Sequence, residues 1–281
     1  MKITDTVPYF LKNYEPSISF LRKYYAEYPN IFADYFPRHC KDTDKRHGES
    51  IKKYPQHFSS IKQVYKNILP IIEGVAAEYE KLYQINFPIE INLIVGGFGS
   101  NAYTNRQIIP DITFALEKLS SEPNHLRVIV AHEFGHVAQN IISNNAGLDW
   151  PKVDWINPLL WLYREGAATH FSRQIVSKEH PSIYFSYDDM GHDWLSFANE
   201  NTRDIKNAFA EDYLALKSDD LYHEWFSING GRKFGYSRLA YFIGYLFFQH
   251  ELEKFGEMAT IVAWKEEDFL ERVKQWLIQG E

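Results

Sequence analysis

The residues best suited to chemistry in this chain are His132, Glu133 and His136, which form the pattern HExxH. Residues four apart on a helix lie on the same face, so both imidazoles can bind one metal ion from a single helix. Glu133 is next to the first histidine and can act on a water beside that ion without binding the ion itself. Two nitrogen ligands and an adjacent carboxylate base indicate a zinc-dependent hydrolase.

The segment around this motif is predicted to be a buried helix. Ser121 and Pro123 stand where a helix cap and a first-turn proline would stand. Apolar residues then occupy most sides of the helix: Leu126, Val128, Ile129, Val130, Phe134, Val137, Ile141 and Ile142. A metal would give the buried histidines and glutamate partners, which they need because burying unpaired polar groups is costly. The alternative is a helix with two hydrogen-bonded core histidines.

Catalytic zinc usually has three protein ligands and a fourth position for water. In metzincins the third ligand is a histidine six residues past the second, with a glycine midway; here Ile142 and Gln139 occupy those places and exclude that class. Asn157-Pro158 predicts the start of a later helix, since a cap residue is followed by proline. Glu165 is the only acid in that helix and lies among apolar and small residues. It is therefore the first candidate for the third ligand.

Other arrangements around Glu165 remain open from the residues alone. Its carboxylate could instead pair at the surface with Arg164 or Arg173. The weaker ligand candidates are Asp149, Asp154 and His170. His170 lies five residues beyond Glu165, which turns it away from the same helix face, but it can lean into the site as a proton donor or a supporting group.

Taken together, these motifs resemble those of the gluzincin group of metallopeptidases. The HEFGH motif is followed by Glu165-Gly166-Ala167-Ala168-Thr169-His170, an EGxA-type segment. Within that group the chain is most similar to a bacterial family of predicted zinc-dependent proteases of formerly unknown function. The glycine-rich turn that ends Leu93–Ser100 and the YxxGY pattern of Tyr241–Tyr245 support the resemblance. It covers roughly residues 90–255 and none of the first 85.

The resemblance implies a role for each matching position. His132, His136 and Glu165 would be ligands of Zn²⁺, and Glu133 would be the general base. A late tyrosine would stabilise the oxyanion; Tyr241 is the first choice, followed by Tyr245 and Tyr236, and His170 is a further catalytic candidate. The chain has 19 tyrosines, and most of them must be packing residues. The implied substrate is a peptide or protein.

The expected fold is α+β and predominantly α-helical, a zincin-like metallopeptidase core with a small strand-rich layer before the HExxH helix. We expect an N-terminal helical region over 1–85 and a catalytic domain over 86–281, unless the two form one continuous domain. The predicted elements are one or two helices in 8–36, a polar loop over 37–50, a helix over 51–83 with a break at Pro70, a strand over 90–95, strands within 102–114, and mostly helices from 123 on, with loops near 144–156 and 178–192. Ser100–Tyr103 is predicted as an edge strand that pairs with an extended substrate.

Composition excludes several other classes of protein. The net charge is −7 and no stretch concentrates basic residues, so nucleic-acid binding is not expected. Cys40 is the only cysteine, which rules out an internal disulfide. No apolar run approaches the length of a membrane span, and the polar start lacks the features of a signal peptide. These features predict a cytoplasmic protein.

The sequence therefore predicts a zinc peptidase that hydrolyses peptide bonds with Glu133 as general base. A second reading is a zinc-binding sensor, or an inactive relative that binds or cleaves a single partner. A third is a helical protein without metal. Another divalent ion could replace zinc, and the residues do not distinguish exopeptidase from endopeptidase action.

Overall fold

A computed structural model describes residues 1–278 of the chain. The fold is α+β, mostly helical with one four-stranded sheet, as predicted. The chain divides into two compact units, Met1–Glu133 and Phe134–Glu281. The division falls inside one continuous helix, α5 (Pro123–Asn145), which carries the HExxH motif. The expected boundary near residue 85 stays a prediction.

The first unit combines helices with the sheet. Its elements are β1 (Lys2–Asp5), α1 (Val7–Asn13), α2 (Ile18–Glu27), α3 (Pro29–His39), α4 (Asp44–Tyr83), β2 (Glu90–Ile94), β3 (Ala102–Thr104), β4 (Ile112–Ala115) and the start of α5. The strand order is β1-β2-β4-β3, with β1 and β4 parallel to β2 and β3 antiparallel to β4. β3 is thus an edge strand that overlaps the predicted Ser100–Tyr103. The sequence gives no signal for β1, because it is four residues long and largely polar.

The predicted break at Pro70 is wrong, because α4 runs unbroken for 40 residues through both Pro55 and Pro70. Proline removes one backbone donor and crowds the carbonyl one turn earlier. Both prolines are exposed, so water can satisfy the carbonyls that they leave unbonded. Buried side chains continue at helical spacing on either side of Pro70: Ile61, Val64, Ile68, Ile72, Val75 and Tyr79. Packing of this stripe outweighs the local effect of proline.

The predicted loop over 37–50 is also wrong over most of its length. α3 extends to His39, and α4 begins at Asp44, where the Thr43 hydroxyl accepts a hydrogen bond from the Arg46 backbone N–H at 3.2 Å. The charged residues that suggested a loop form the first turns of α4. Before α4 the chain forms three helices, whereas one or two were predicted in 8–36.

A buried carboxylate holds the glycine-rich turn after β2. Glu117 accepts hydrogen bonds from the backbone N–H groups of Gly96 (2.8 Å) and Phe98 (3.0 Å). Burial raises the pKa of Glu117 to about 7, although both hydrogen bonds act to lower it. The Tyr35 hydroxyl accepts a further hydrogen bond from Gly97 at 2.9 Å. The turn itself was predicted, but Glu117 and Tyr35 lie far from it in sequence and no local pattern indicates them.

The second unit, over its described residues, is helical. After the end of α5 come α6 (Pro158–Ile175), α7 (Ile183–Ser186), α8 (His192–Glu200), α9 (Thr202–Ala215), α10 (Ser218–Trp225), α11 (Leu239–Phe255), α12 (Glu257–Ile261) and α13 (Phe269–Ile278). The irregular segment predicted near 144–156 is present, whereas the segment near 178–192 also contains α7. Within residues 1–278, none of the helices has the length and apolarity that crossing a membrane requires.

Candidate metal centre

The HExxH residues lie on a deeply buried helix. His132 and His136 are 2% and 7% exposed, and Glu133 is 8% exposed. The flanking apolar residues of α5 are almost fully buried, as the sequence predicts. In the first unit, the Tyr79 hydroxyl of α4 donates a hydrogen bond to the carbonyl of Ala131 at 2.7 Å, and so holds α5 immediately before His132.

Glu165 is brought to the histidines by α6. This helix begins as predicted, with the Asn157 side chain accepting a hydrogen bond from the Leu159 N–H at 3.0 Å. The Glu165 side chain is 19% exposed, and its Oε2 lies 3.6 Å from Nε2 of His136. One ligand atom each from His132, His136 and Glu165 lies within 4.8 Å of the other two. Among residues 1–278, this is the group of three or more His, Cys, Asp or Glu side chains with the spacing of a metal site.

One separation between these donor atoms matches the separation expected around zinc. Donors about 2.0–2.2 Å from one tetrahedral Zn²⁺ lie roughly 3.3–3.6 Å from each other. The 3.6 Å between His136 Nε2 and Glu165 Oε2 agrees with that separation and is too long for a direct hydrogen bond. Two imidazoles and one carboxylate are also a usual donor set for catalytic zinc, and they leave one position of the tetrahedron open.

A close crossing of α6 and α11 fixes the position of Glu165. A Cβ atom added to Gly166 would lie 2.0 Å from the carbonyl oxygen of Gly244, and one added to Gly244 would lie 2.1 Å from that of Leu162. Only glycine at both positions allows the two backbones to approach this closely. Gly166 follows Glu165 directly and Gly244 lies one turn after Tyr241. The glycines of the EGxA and YxxGY motifs therefore bring together the helices that carry Glu165, a ligand candidate, and Tyr241, a catalytic candidate.

Tyr241 lies within electrostatic range of Glu165. Burial, and then the Glu165 charge, raise the pKa of Tyr241 well above its ordinary value, with Arg238 acting in the opposite direction. The guanidinium of Arg238 lies over the Tyr241 ring, with its Cζ 4.2 Å from the ring centroid. The Tyr241 hydroxyl is therefore neutral and able to donate a hydrogen bond over the whole physiological pH range. Tyr245 and Tyr236, the other tyrosine candidates, pack against Phe185 and Phe197.

The remaining candidates from the sequence have other contacts. His170 is 3% exposed; its Nε2 lies 2.8 Å from Glu257 Oε1 and its Nδ1 lies 3.3 Å from Gln249 Nε2. Its role in catalysis stays a prediction. Asp149 pairs with Lys152 at 3.1 Å, and Asp154 accepts a hydrogen bond from Asn157 at 3.3 Å. Neither aspartate belongs to the group with metal-site spacing.

A family described as "Putative zinc dependent peptidase (DUF5700)" matches residues 10–259. The chain belongs to this family. The match supports the predicted resemblance and extends it through most of the first 85 residues, where the sequence motifs gave no indication of it. The family is described as zinc-dependent, in agreement with the His-His-Glu group of this DUF5700 member. Comparisons with curated proteins and with solved structures found no significant match.

Two residues near Tyr241 were not identified from the sequence. Arg238 immediately precedes α11, and Tyr187 immediately follows α7; both have positive φ angles, 64° and 62°. The Glu165 charge acts on Arg238, the Tyr241 ring packs against its guanidinium, and Tyr187 forms a hydrogen bond with it. No motif includes either residue, and 51 positions separate them, so only the tertiary structure relates them to each other and to Tyr241.

Proposed function

We propose that this DUF5700 member is a zinc peptidase in which His132, His136 and Glu165 hold the ion. The observation that carries the proposal is the 3.6 Å separation of a histidine and a carboxylate donor, in a group of three side chains that lie within 4.8 Å of one another. A zincin-like arrangement, with α5 and α6 supplying the ligands, is part of the proposal. So is the use of the β3 edge to bind an extended peptide through backbone hydrogen bonds.

The chemistry assigns separate roles to residues of this chain. Zn²⁺ when bound supplies Lewis acidity, which makes water nucleophilic near neutral pH and polarises the peptide carbonyl. Glu133 lies next to a ligand on the same helix, about 100° around its axis, so its carboxylate would act beside the ion without being a ligand. Its carboxylate takes the proton of the attacking water as the new C–O bond forms. It then delivers that proton to the leaving nitrogen as the C–N bond breaks.

Tyr241 is the proposed donor to the developing oxyanion. Its helix crosses α6 one turn away, at Gly244, and its hydroxyl stays protonated because of burial. A neutral phenol in a partly buried position can donate a hydrogen bond that strengthens as negative charge develops on the substrate oxygen.

Zinc content tests the ligand set. We expect about one zinc per chain in the native protein and much less in Glu165→Ala, measured by elemental mass spectrometry after dialysis. Asp154→Ala is the matched control, since that aspartate was a weaker candidate and lies outside the group; it should keep its zinc. Zinc retained in Glu165→Ala and lost in Asp154→Ala would contradict the assignment. Full zinc content in a protein that cleaves no peptide would favour the zinc-binding sensor instead.

Tyr241→Phe tests the oxyanion donor. We expect kcat to fall by about 10²–10³-fold with zinc content unchanged, since one transition-state hydrogen bond is lost and no ligand is touched. Tyr245→Phe removes a hydroxyl from the same helix and should keep most of the activity. The measurement is kcat and KM on a peptide found by library screening. A large loss in Tyr245→Phe with little change in Tyr241→Phe would reverse the assignment.

A further inference from the structure

The Arg238 guanidinium is a cation beside the metal centre that none of the motifs explains. We propose that Arg238 binds a carboxylate group of the substrate and so determines specificity in the active site. This inference rests on the peptidase function proposed above and names the class of substrate.

The side chain of Arg238 lies against two aromatic rings. Its guanidinium carbon lies 4.2 Å from the ring centroid of Tyr241 and 5.2 Å from that of Tyr187. The carboxylate of Glu165 acts on the charge of Arg238, and Tyr187 forms a side-chain hydrogen bond with it. Stacking on aromatic faces orients a guanidinium and leaves its N–H groups available in the plane, where a carboxylate can bind with two parallel hydrogen bonds.

The backbone fixes the position of Arg238. Its φ of 64° lies in the left-handed region, which is uncommon for a residue with a side chain. The carbonyl of the preceding residue, Ser237, accepts a hydrogen bond from the Trp194 indole at 2.8 Å. Its stacking partner Tyr187 has a φ of 62°. Backbone conformations of this kind tend to occur where a structure holds functional groups in place.

The charges around the metal centre favour an anionic ligand. With Zn²⁺ bound, the ion and Arg238 would carry three positive charges beside the two negative charges of Glu165 and Glu133, and Glu165 acts on Arg238 as well. Burial acts against the charge of Arg238, but the Glu165 carboxylate and the hydrogen bond with Tyr187 favour it, so Arg238 stays protonated. A substrate that brings one carboxylate would neutralise the site. A peptide without a carboxylate would leave this excess positive charge in a partly buried position.

A second arginine of the chain, Arg173, also stacks on two tyrosine rings and can be compared with Arg238. Arg173 lies over the rings of Tyr184 (4.8 Å) and Tyr245 (5.0 Å), which is the same double contact with tyrosine. Arg173 therefore serves as a control with the same kind of aromatic contacts on a different pair of tyrosines.

The test measures binding separately from cleavage. Zinc-loaded Glu133→Gln is titrated calorimetrically with three kinds of acetylated pentapeptide. The first is an apolar peptide with a free C-terminal carboxylate, and the second is the same peptide as its C-terminal amide. The third is a set of such amides that carry one glutamate, placed at each position in turn. We expect at least one carboxylate form to bind about tenfold or more tightly than the plain amide, as for a charge-assisted hydrogen-bonded pair. Arg238→Gln in the same background should remove the preference, and Arg173→Gln should keep it.

The outcomes distinguish the source of the carboxylate. Tight binding by the free acid alone identifies the peptide C-terminus, and tight binding by a glutamate amide identifies an acidic side chain. Equal affinity for all forms, or a preference that survives in Arg238→Gln, overturns the inference. If Arg238→Gln loses zinc or folds poorly, Arg238→Lys is measured instead. A weaker preference for the carboxylate peptides at full zinc content supports the inference, and an unchanged preference overturns it. Failure of the native protein to cleave any peptide would refute the peptidase but leave this binding result standing.

Discussion

Glu133→Gln is expected to keep about one zinc per chain and to lose roughly 10²–10⁴-fold in kcat, the range found when a general base is removed. The amide has nearly the shape of the carboxylate and fits the same 8% exposed position on α5. It cannot take a proton from water, however, so the step that makes the nucleophile is lost while His132, His136 and Glu165 are untouched. The measurement is kcat on a screened peptide together with zinc content of the same sample.

The matched control is Glu122→Gln, which makes the same chemical change at an exposed position just before the start of α5. It should leave both zinc and kcat unchanged. Full activity of zinc-loaded Glu133→Gln would refute the role of Glu133 as general base. Loss of zinc in Glu133→Gln would instead indicate that Glu133 contributes to metal binding.

Gly166→Ala is expected to destabilise the protein by about 1–3 kcal/mol or more and to weaken zinc binding by roughly 10–100-fold. The added methyl group would lie 2.0 Å from the carbonyl oxygen of Gly244, so α6 and α11 must separate. Because Glu165 precedes Gly166, this movement displaces a proposed ligand, and it displaces Tyr241 on the opposing helix. The measurements are the free energy of unfolding in urea and zinc affinity by competition with a chelator.

Gly74→Ala is also a glycine-to-alanine substitution, but it is expected to stabilise the protein rather than destabilise it. Gly74 lies inside α4, is exposed, and has no atom within 4 Å of an added Cβ. Alanine there should stabilise the protein by about 0.5–1 kcal/mol, because it has the higher helix propensity and meets no obstacle. If Gly166→Ala stabilised the protein as Gly74→Ala does, the close crossing of α6 and α11 would be wrong.

Much of the helical structure around the metal centre was predictable because its signals are local. The apolar residues of α5 recur at helical spacing, and Asn157-Pro158 marks the start of α6. The four-residue spacing of His132 and His136 places both on one face by helix geometry alone. Local signals failed where packing decided the outcome, as in α4, which continues through Pro70 because its buried stripe continues.

By itself, the sequence determined the types of the candidate ligands, the helix that carries two of them, and the family to which the chain belongs. Only the tertiary structure decided that Glu165, rather than Asp149 or Asp154, lies within ligand distance of the histidines. It also placed Arg238 beside Tyr241. The physical reason is that helix periodicity depends on neighbouring residues, whereas these distances depend on how α6 and α11 cross. That crossing depends on Gly166 and Gly244, which are 78 positions apart in the sequence. Their lack of a side chain matters only where α6 and α11 come into contact.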